Sequence, residues 1–128
     1  MLERIETWRM WVLCDRELVK NWSSGCVTLL GDAARPMLQY LAQGACMATE
    51  DAVVLAEKVA ASPEDLPGAF TAYQQDRYLR TGRVQIMARV YGDFYHARGV
   101  TAELRDLALG GRTPEQSYEG IAWLYGGP

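Results

Sequence analysis

The spacing of apolar and polar positions changes character along the chain. Residues 2–8 suit a short helix. Trp8 to Cys14 (W-R-M-W-V-L-C) is aromatic and branched with loose alternation, which predicts a strand. Polar turn formers from Asp15 to Gly25 read as a connection. Cys26 to Leu30 is apolar at nearly every position, as in a strand buried on both faces of an α/β layer. From Pro36 the pattern turns helical. A loop end at Gln43-Gly44 leads into a helix over 45–61, with Met47, Val54 and Leu55 as its apolar stripe. Ser62-Pro63-Glu64-Asp65 breaks it, and Pro67 opens the next helix, where a missing N–H is harmless. Gly82 is expected to interrupt that helix, after which Val84, Met87, Ala88, Tyr91 and Phe94 or Tyr95 recur at helical spacing up to a stop at Gly99. A short helix over 101–109 follows. Thr113-Pro114-Glu115-Gln116 then forms an N-terminal capping signal ahead of an apolar turn at 121–125.

The fold class expected is therefore mainly α with one or two short strands. Such strands lack neighbours within this chain, and unpaired strand edges are an aggregation liability. The arrangement reads as part of a larger α/β protein. Charge changes the picture only by exclusion. A net charge of −3 over 128 residues, without a basic stripe, argues against nucleic-acid binding. Cys14, Cys26 and Cys46 form no C-x-x-C pair, so reduced thiols in a cytoplasmic protein are expected and a metal site is not. No apolar run reaches the roughly 20 residues of a membrane helix, and the first residues lack the order of a signal peptide.

The chemistry is concentrated between Leu29 and Ala56. There a buried strand would end at Gly31, which permits close backbone approach, and Asp32 would present a carboxylate where ligands of open α/β sheets bind. The helix after Gln43-Gly44 would offer free N–H groups at about Ala45 to Met47, favouring negative charge. Gly31-Asp32 alone reads rather as an ordinary ligand-free turn, since such turns are common.

The full spacing goes further. Gly31-Asp32-Ala33-Ala34, Gln43-Gly44 and Glu50-Asp51-Ala52 together resemble the second flavin motif of the FAD-dependent aromatic-ring monooxygenases, the family of para-hydroxybenzoate and salicylate hydroxylases. Asp15-Arg16, Trp22, Gly25 and Val27 to Leu30 are similar to the family's lead-in. Tyr73 and the arginine-bearing stretch Arg77 to Arg89 are similar to its C-terminal helices. The run Met37 to Ala48 is most similar to the branch acting on 3-hydroxybenzoate at the 6-position. The resemblance covers nearly the whole chain. It implies one C-terminal segment of an FAD-binding domain, with strand and Gly-Asp motif over 8–35 and a helical part over 36–128.

By the same resemblance, Asp32 would bind a ribityl hydroxyl of FAD and Gly31 would allow close approach near the pyrophosphate. Gly44, Ala45, Cys46 and Met47 would line the pyrimidine edge of the flavin. Gln39, beside the flavin, would contact substrate or cofactor, while Tyr40 packs. Arg35 stands where His is usual and would pair with pyrophosphate or a carboxylate. Glu50 and Asp51 are expected to be structural, and His96 a helix-end cation. The implied reaction inserts one oxygen atom of O₂ into a phenolic acid, with NADH as reductant.

The G-x-G-x-x-G grip of a dinucleotide fold is absent, and so is any Asp-Gly dipeptide. The dinucleotide-binding N-terminal half is thus missing from this sequence, and the chain alone is not expected to be a competent hydroxylase. It would be a truncated product or one piece of a split protein that self-associates or meets its missing half. Two other classes stay open: a helical interaction module with its surplus Trp and Tyr as contact surface, and an accessory flavin- or substrate-binding domain without turnover.

Overall fold

A computed structural model describes residues 4–126. Two short strands, β1 (Ser23–Ser24) and β2 (Val27–Thr28), form an antiparallel hairpin in which Ser23 pairs with Thr28 and Ser24 with Val27. Gly25 supplies the left-handed residue that the tight turn requires, at φ +53°. A 3₁₀ turn at Gly31–Ala33 and a second at Gln39–Leu41 lead to α1 (Gly44–Ala61). α2 (Leu66–Tyr95), α3 (Gly99–Gly110) and α4 (Pro114–Tyr125) complete the fold.

The helices follow from local signals. Asp65 caps α2 by accepting from the Gly68 N–H at 3.0 Å, with Pro67 in the first turn. Thr113 and Gln116 form the expected reciprocal capping box at the start of α4. α1 packs along α2. Trp22, Ala34, Val54 and Tyr73 form one apolar cluster, with the Trp22 and Tyr73 rings edge to face. Met47, Val84 and Leu124 form a second, which draws α4 onto the helix pair.

Several expectations are corrected. Trp8 to Cys14 is not a strand: it forms no regular element and is exposed, with Trp11 at 79% of its free surface. No β-ladder partner for it exists among the described residues. The strand expected over 26–30 shrinks to Val27–Thr28, and Val27 and Leu29 face solvent instead of lying between layers. The helix expected over 2–8 does not form from Ile5 onward; residues 2 and 3 lie outside the described residues. The segment from Pro36 to Gln43 is irregular apart from its 3₁₀ turn and ends with Ala42 in the left-handed region.

Gly82 does not break α2, which runs unbroken for 30 residues. A mid-helix glycine costs roughly 1 kcal/mol relative to Ala, but Thr81, Val84 and Gln85 around it are fully buried, and this packing outweighs the propensity. The stop comes at Tyr95, four residues before Gly99, which instead opens α3 with φ +55°. Gly92 is required for a packing reason. A Cβ there would sit 2.6 Å from the Tyr40 ring, which is held between Gly92, Tyr95 and His96.

The two helical glycines with opposite surroundings give a paired test. Gly92→Ala should destabilise by about 1–3 kcal/mol through overpacking against Tyr40. Gly120→Ala, in α4 with open space around its Cβ, should stabilise by up to about 1 kcal/mol. Urea unfolding of both variants reads the difference, and equal midpoints would contradict the packing role of Gly92.

Candidate functional site

The site begins at the turn after β2. Gly31 is buried at φ +58°, a conformation other residues resist, and its missing Cβ leaves room for Ala48 of α1, which a Cβ would meet at 3.1 Å. The backbone N–H groups of Ala34 and Arg35 both donate to the Gly31 carbonyl, at 3.0 and 2.9 Å, closing the turn. Arg16 reinforces it from outside by donating to the carbonyls of Ala33 and Ala34. Arg16 is itself held by its own carbonyl, which accepts from Gln85 and Arg89 of α2 at 2.7 Å each.

This geometry aims the exposed Asp32 carboxylate at the start of α1. Its Oδ1 lies 3.8 Å from where a Cβ on Gly44 would be. The helix has no side-chain cap: Gln43 at the N-cap position makes no such bond. The first-turn N–H groups of Gly44, Ala45 and Cys46 therefore remain free, beside an unencumbered carboxylate. Sequence spacing placed these groups one residue too late. The Met47 N–H donates to the Gln43 carbonyl at 2.9 Å, and the Met47 side chain is fully buried in the second cluster. Met47 anchors the helix start from inside and presents no surface to a ligand. Gln39 is exposed on its 3₁₀ turn, near the site in sequence but without a contact that fixes it.

Beneath the turn lies a charge network. Arg35 donates through Nη2 to Asp51. Arg77 of α2 donates from Nε to the other Asp51 oxygen at 2.7 Å, and from Nη2 to Glu50 at 2.8 Å and to the Met47 sulfur at 3.8 Å. Arg80 grips Glu50 with two bonds of 2.7 Å and donates to the carbonyls of Trp123 and Leu124 in α4. Asp51 and Arg77 are essentially inaccessible, and Arg35 is 3% exposed. The Trp22 ring lies 4.6 Å from the Arg35 guanidinium, a cation–π contact. The Arg80 guanidinium, followed by that of Arg77, holds the Glu50 carboxyl below its ordinary 4.5 against the opposing effect of burial. Burial lifts the Tyr73 phenol above its ordinary 10.0, with the Asp51 charge adding to the effect.

Glu50 and Asp51 thus have the structural role expected of them, and Arg35 takes the carboxylate partner anticipated for it. Sequence reading missed Arg77 and Arg80 as their partners. The available signal was two arginines three residues apart, one helical turn, in a helix following one with two adjacent acids.

No family model matches the chain. Individual relatives do. Over 126 residues it is 48% identical to 3-hydroxybenzoate 6-hydroxylase of Polaromonas naphthalenivorans (strain CJ2), covering 98% of this chain and 32% of that protein. It is 47% identical over 127 residues to 3-hydroxybenzoate 6-hydroxylase 1 of Aquipseudomonas alcaligenes, with the same coverage of each. The crystal structure of Klebsiella pneumoniae HpxO complexed with FAD and uric acid superposes with a TM-score of 0.81 at 30% identity, over 89% of this chain and 30% of that one. The chain belongs to the FAD-dependent aromatic-ring monooxygenases and corresponds to a C-terminal portion of one. It spans about a third of the length of the 3-hydroxybenzoate 6-hydroxylases it matches.

Two measurements test the network. Asp51→Asn should cost roughly 3–5 kcal/mol in urea unfolding, because Arg35 and Arg77 lose a buried counter-charge. The lowered carboxyl of Glu50 means that the unfolded chain takes up its proton first as pH falls. Its contribution to stability is therefore complete above about pH 4.5 and is lost as pH drops through the lower folded value. Glu50→Gln should flatten that acid limb of the stability curve; an unchanged limb would contradict the assignment.

Proposed function

We propose that this chain is the flavin-cradling portion of a hydroxylase that inserts one oxygen atom of O₂ into a phenolic acid at the expense of NADH. The observation that carries the reading is the exposed Asp32 carboxylate set against the uncapped first turn of α1. A carboxylate accepts hydrogen bonds from sugar-alcohol hydroxyls, and free N–H groups at a helix start donate to an electron-rich ring edge. FAD offers both, so the residues present fit it. Asp32 would take a ribityl hydroxyl, with Gly31 keeping the turn close. Gly44, Ala45 and Cys46 would donate to the pyrimidine edge and stabilise charge there, as oriented amides do in an oxyanion hole. When bound, FAD supplies the redox chemistry that activates O₂.

Gln39, on the exposed turn before α1, is the side chain proposed to contact substrate or flavin. The similarity to 3-hydroxybenzoate 6-hydroxylases favours 3-hydroxybenzoate as the ring substrate. Three free cysteines suit a reducing cytoplasm. No described helix is long and apolar enough to cross a membrane. The exposed apolar run Trp8 to Leu13 favours association, either with a second copy or with the remaining portion of the enzyme. Supplied with that portion, the chain would complete a working enzyme; alone it would be inactive.

The test is a visible-absorbance titration with FAD, carried out on the chain alone and with the N-terminal portion of a 3-hydroxybenzoate 6-hydroxylase added. Flavin bands should shift on binding, and Asp32→Ala should weaken that binding at least about tenfold through the lost charge-assisted hydrogen bond. The supplemented mixture should couple NADH oxidation to hydroxylation. Equal FAD affinity of the Asp32→Ala variant in both settings would sink the reading.

A further inference from the structure

A cavity of about 450 Å³ lies between residues 18–20, Arg35 and the outer face of α2. Arg35, at the end of the turn that carries Asp32, is its one link to the proposed flavin site: neither Asp32 nor the start of α1 lines it. Its volume falls within the ~300–1,000 Å³ range of small-molecule pockets. The walls are apolar, formed chiefly by Leu18, Leu79, Ile86 and Met87; Gly82 is part of the lining, and a Cβ there would meet Leu18 at 3.5 Å, so a larger side chain would intrude between them.

The polar groups at this cavity are of one sign. Lys20, Arg35 and Arg83 contribute to its lining and no acidic residue does. Lys20 lies over the Tyr78 ring at 5.3 Å and Arg83 over the Trp123 ring at 3.9 Å, and neither forms an ion pair among the described residues. Arg35 commits only Nη2 to Asp51, and its Nε and Nη1 are buried without any hydrogen-bond partner. The network behind it sets three guanidinium groups against two carboxylates, leaving one uncompensated positive charge. Buried donors without partners are uncommon and costly. An apolar chamber with an excess of cations selects for a ligand that is apolar and singly anionic.

We infer that this cavity binds a small apolar carboxylate, aryl or short-chain alkyl, with its ring or chain against Leu79, Ile86 and Met87. Its carboxylate lies toward the cationic side formed by Lys20, Arg83 and Arg35. A phosphate lacks the apolar body that these walls match, and a neutral aromatic leaves the cations unpaired.

Fluorine NMR on the whole chain without flavin tests this directly, with 4-fluorobenzoate as the anionic probe and 4-fluorobenzyl alcohol as its neutral counterpart. The carboxylate should bind at least about tenfold more tightly than the alcohol, given the strength of charged hydrogen bonds. Gly82→Leu, which improves helix propensity while filling the cavity, should abolish binding. Lys20→Met combined with Arg83→Met should weaken it about tenfold without blocking the space. Circular dichroism confirms that each variant folds. Equal binding of the alcohol would make this an apolar docking face for another protein segment and overturn the proposal. Retained binding in Gly82→Leu, or no carboxylate binding to the wild type, would also overturn it.

Discussion

Asp51 receives guanidinium groups from two different parts of the chain on its two oxygens, and the placement of the whole site depends on that sharing. Arg35 comes from the turn that carries Asp32, and Arg77 from the middle of α2. Removing these charges from water costs several kcal/mol per ion, so a buried pair adds little net stability over an apolar equivalent. Its effect here is on geometry. An apolar contact would tolerate sliding of the turn along α1, whereas a carboxylate engaged on both oxygens by two rigid planar forks does not. Asp32 lies three residues before Arg35, so its carboxylate inherits this constraint. Arg80 extends the same logic to α4 by joining Glu50 to two carbonyls at that helix's end.

What could be read in advance divides along a physical line. Features set by neighbouring residues were legible: the Thr113 capping box, the Ser62 to Asp65 break and the start of α1 near Gln43-Gly44. The Gly-Asp turn was legible too, because its glycine has a backbone reason to be there. Features set by distant contacts were not. Gly82 carries a breaker's propensity, and only the burial of its neighbours shows why α2 continues. Trp8 to Cys14 and Cys26 to Leu30 have strand composition, but a strand exists only with a partner on its edge: the first run finds none among the described residues, and the second finds one only where Val27–Thr28 meets Ser23–Ser24. The residue types of the charge network were visible. Their pairing across 26 to 30 positions was not, since it is created by the packing of α1 on α2.

The distribution of buried surface agrees with a chain that is one part of a larger domain. Burial is concentrated along α1, α2 and the 31–35 turn, while α3 buries no residue and leaves Val100, Leu104 and Leu107 exposed at helical spacing. Trp8, Met10, Trp11 and Val12 are likewise open on a segment with unpaired backbone. Surfaces of this kind are unusual in a self-sufficient domain. They accord with a match to about a third of the relatives' length.

The candidate site is fixed on different terms. Its carboxylate and its free N–H groups come from separate segments, the 31–35 turn and the start of α1, and both are fixed by contacts internal to this chain: Ala48 against Gly31, Met47 in the second cluster, and Asp51 between its arginines. Nothing outside the chain is needed to bring Asp32 to Gly44. Preorganisation of this kind lowers the ordering cost of binding. No glycine-rich G-x-G-x-x-G phosphate grip accompanies it in this sequence. The arrangement follows from where rigidity is generated: two segments that rest on the same helix packing are held in one register by it, and the first turn of α1 keeps facing Asp32 for that reason.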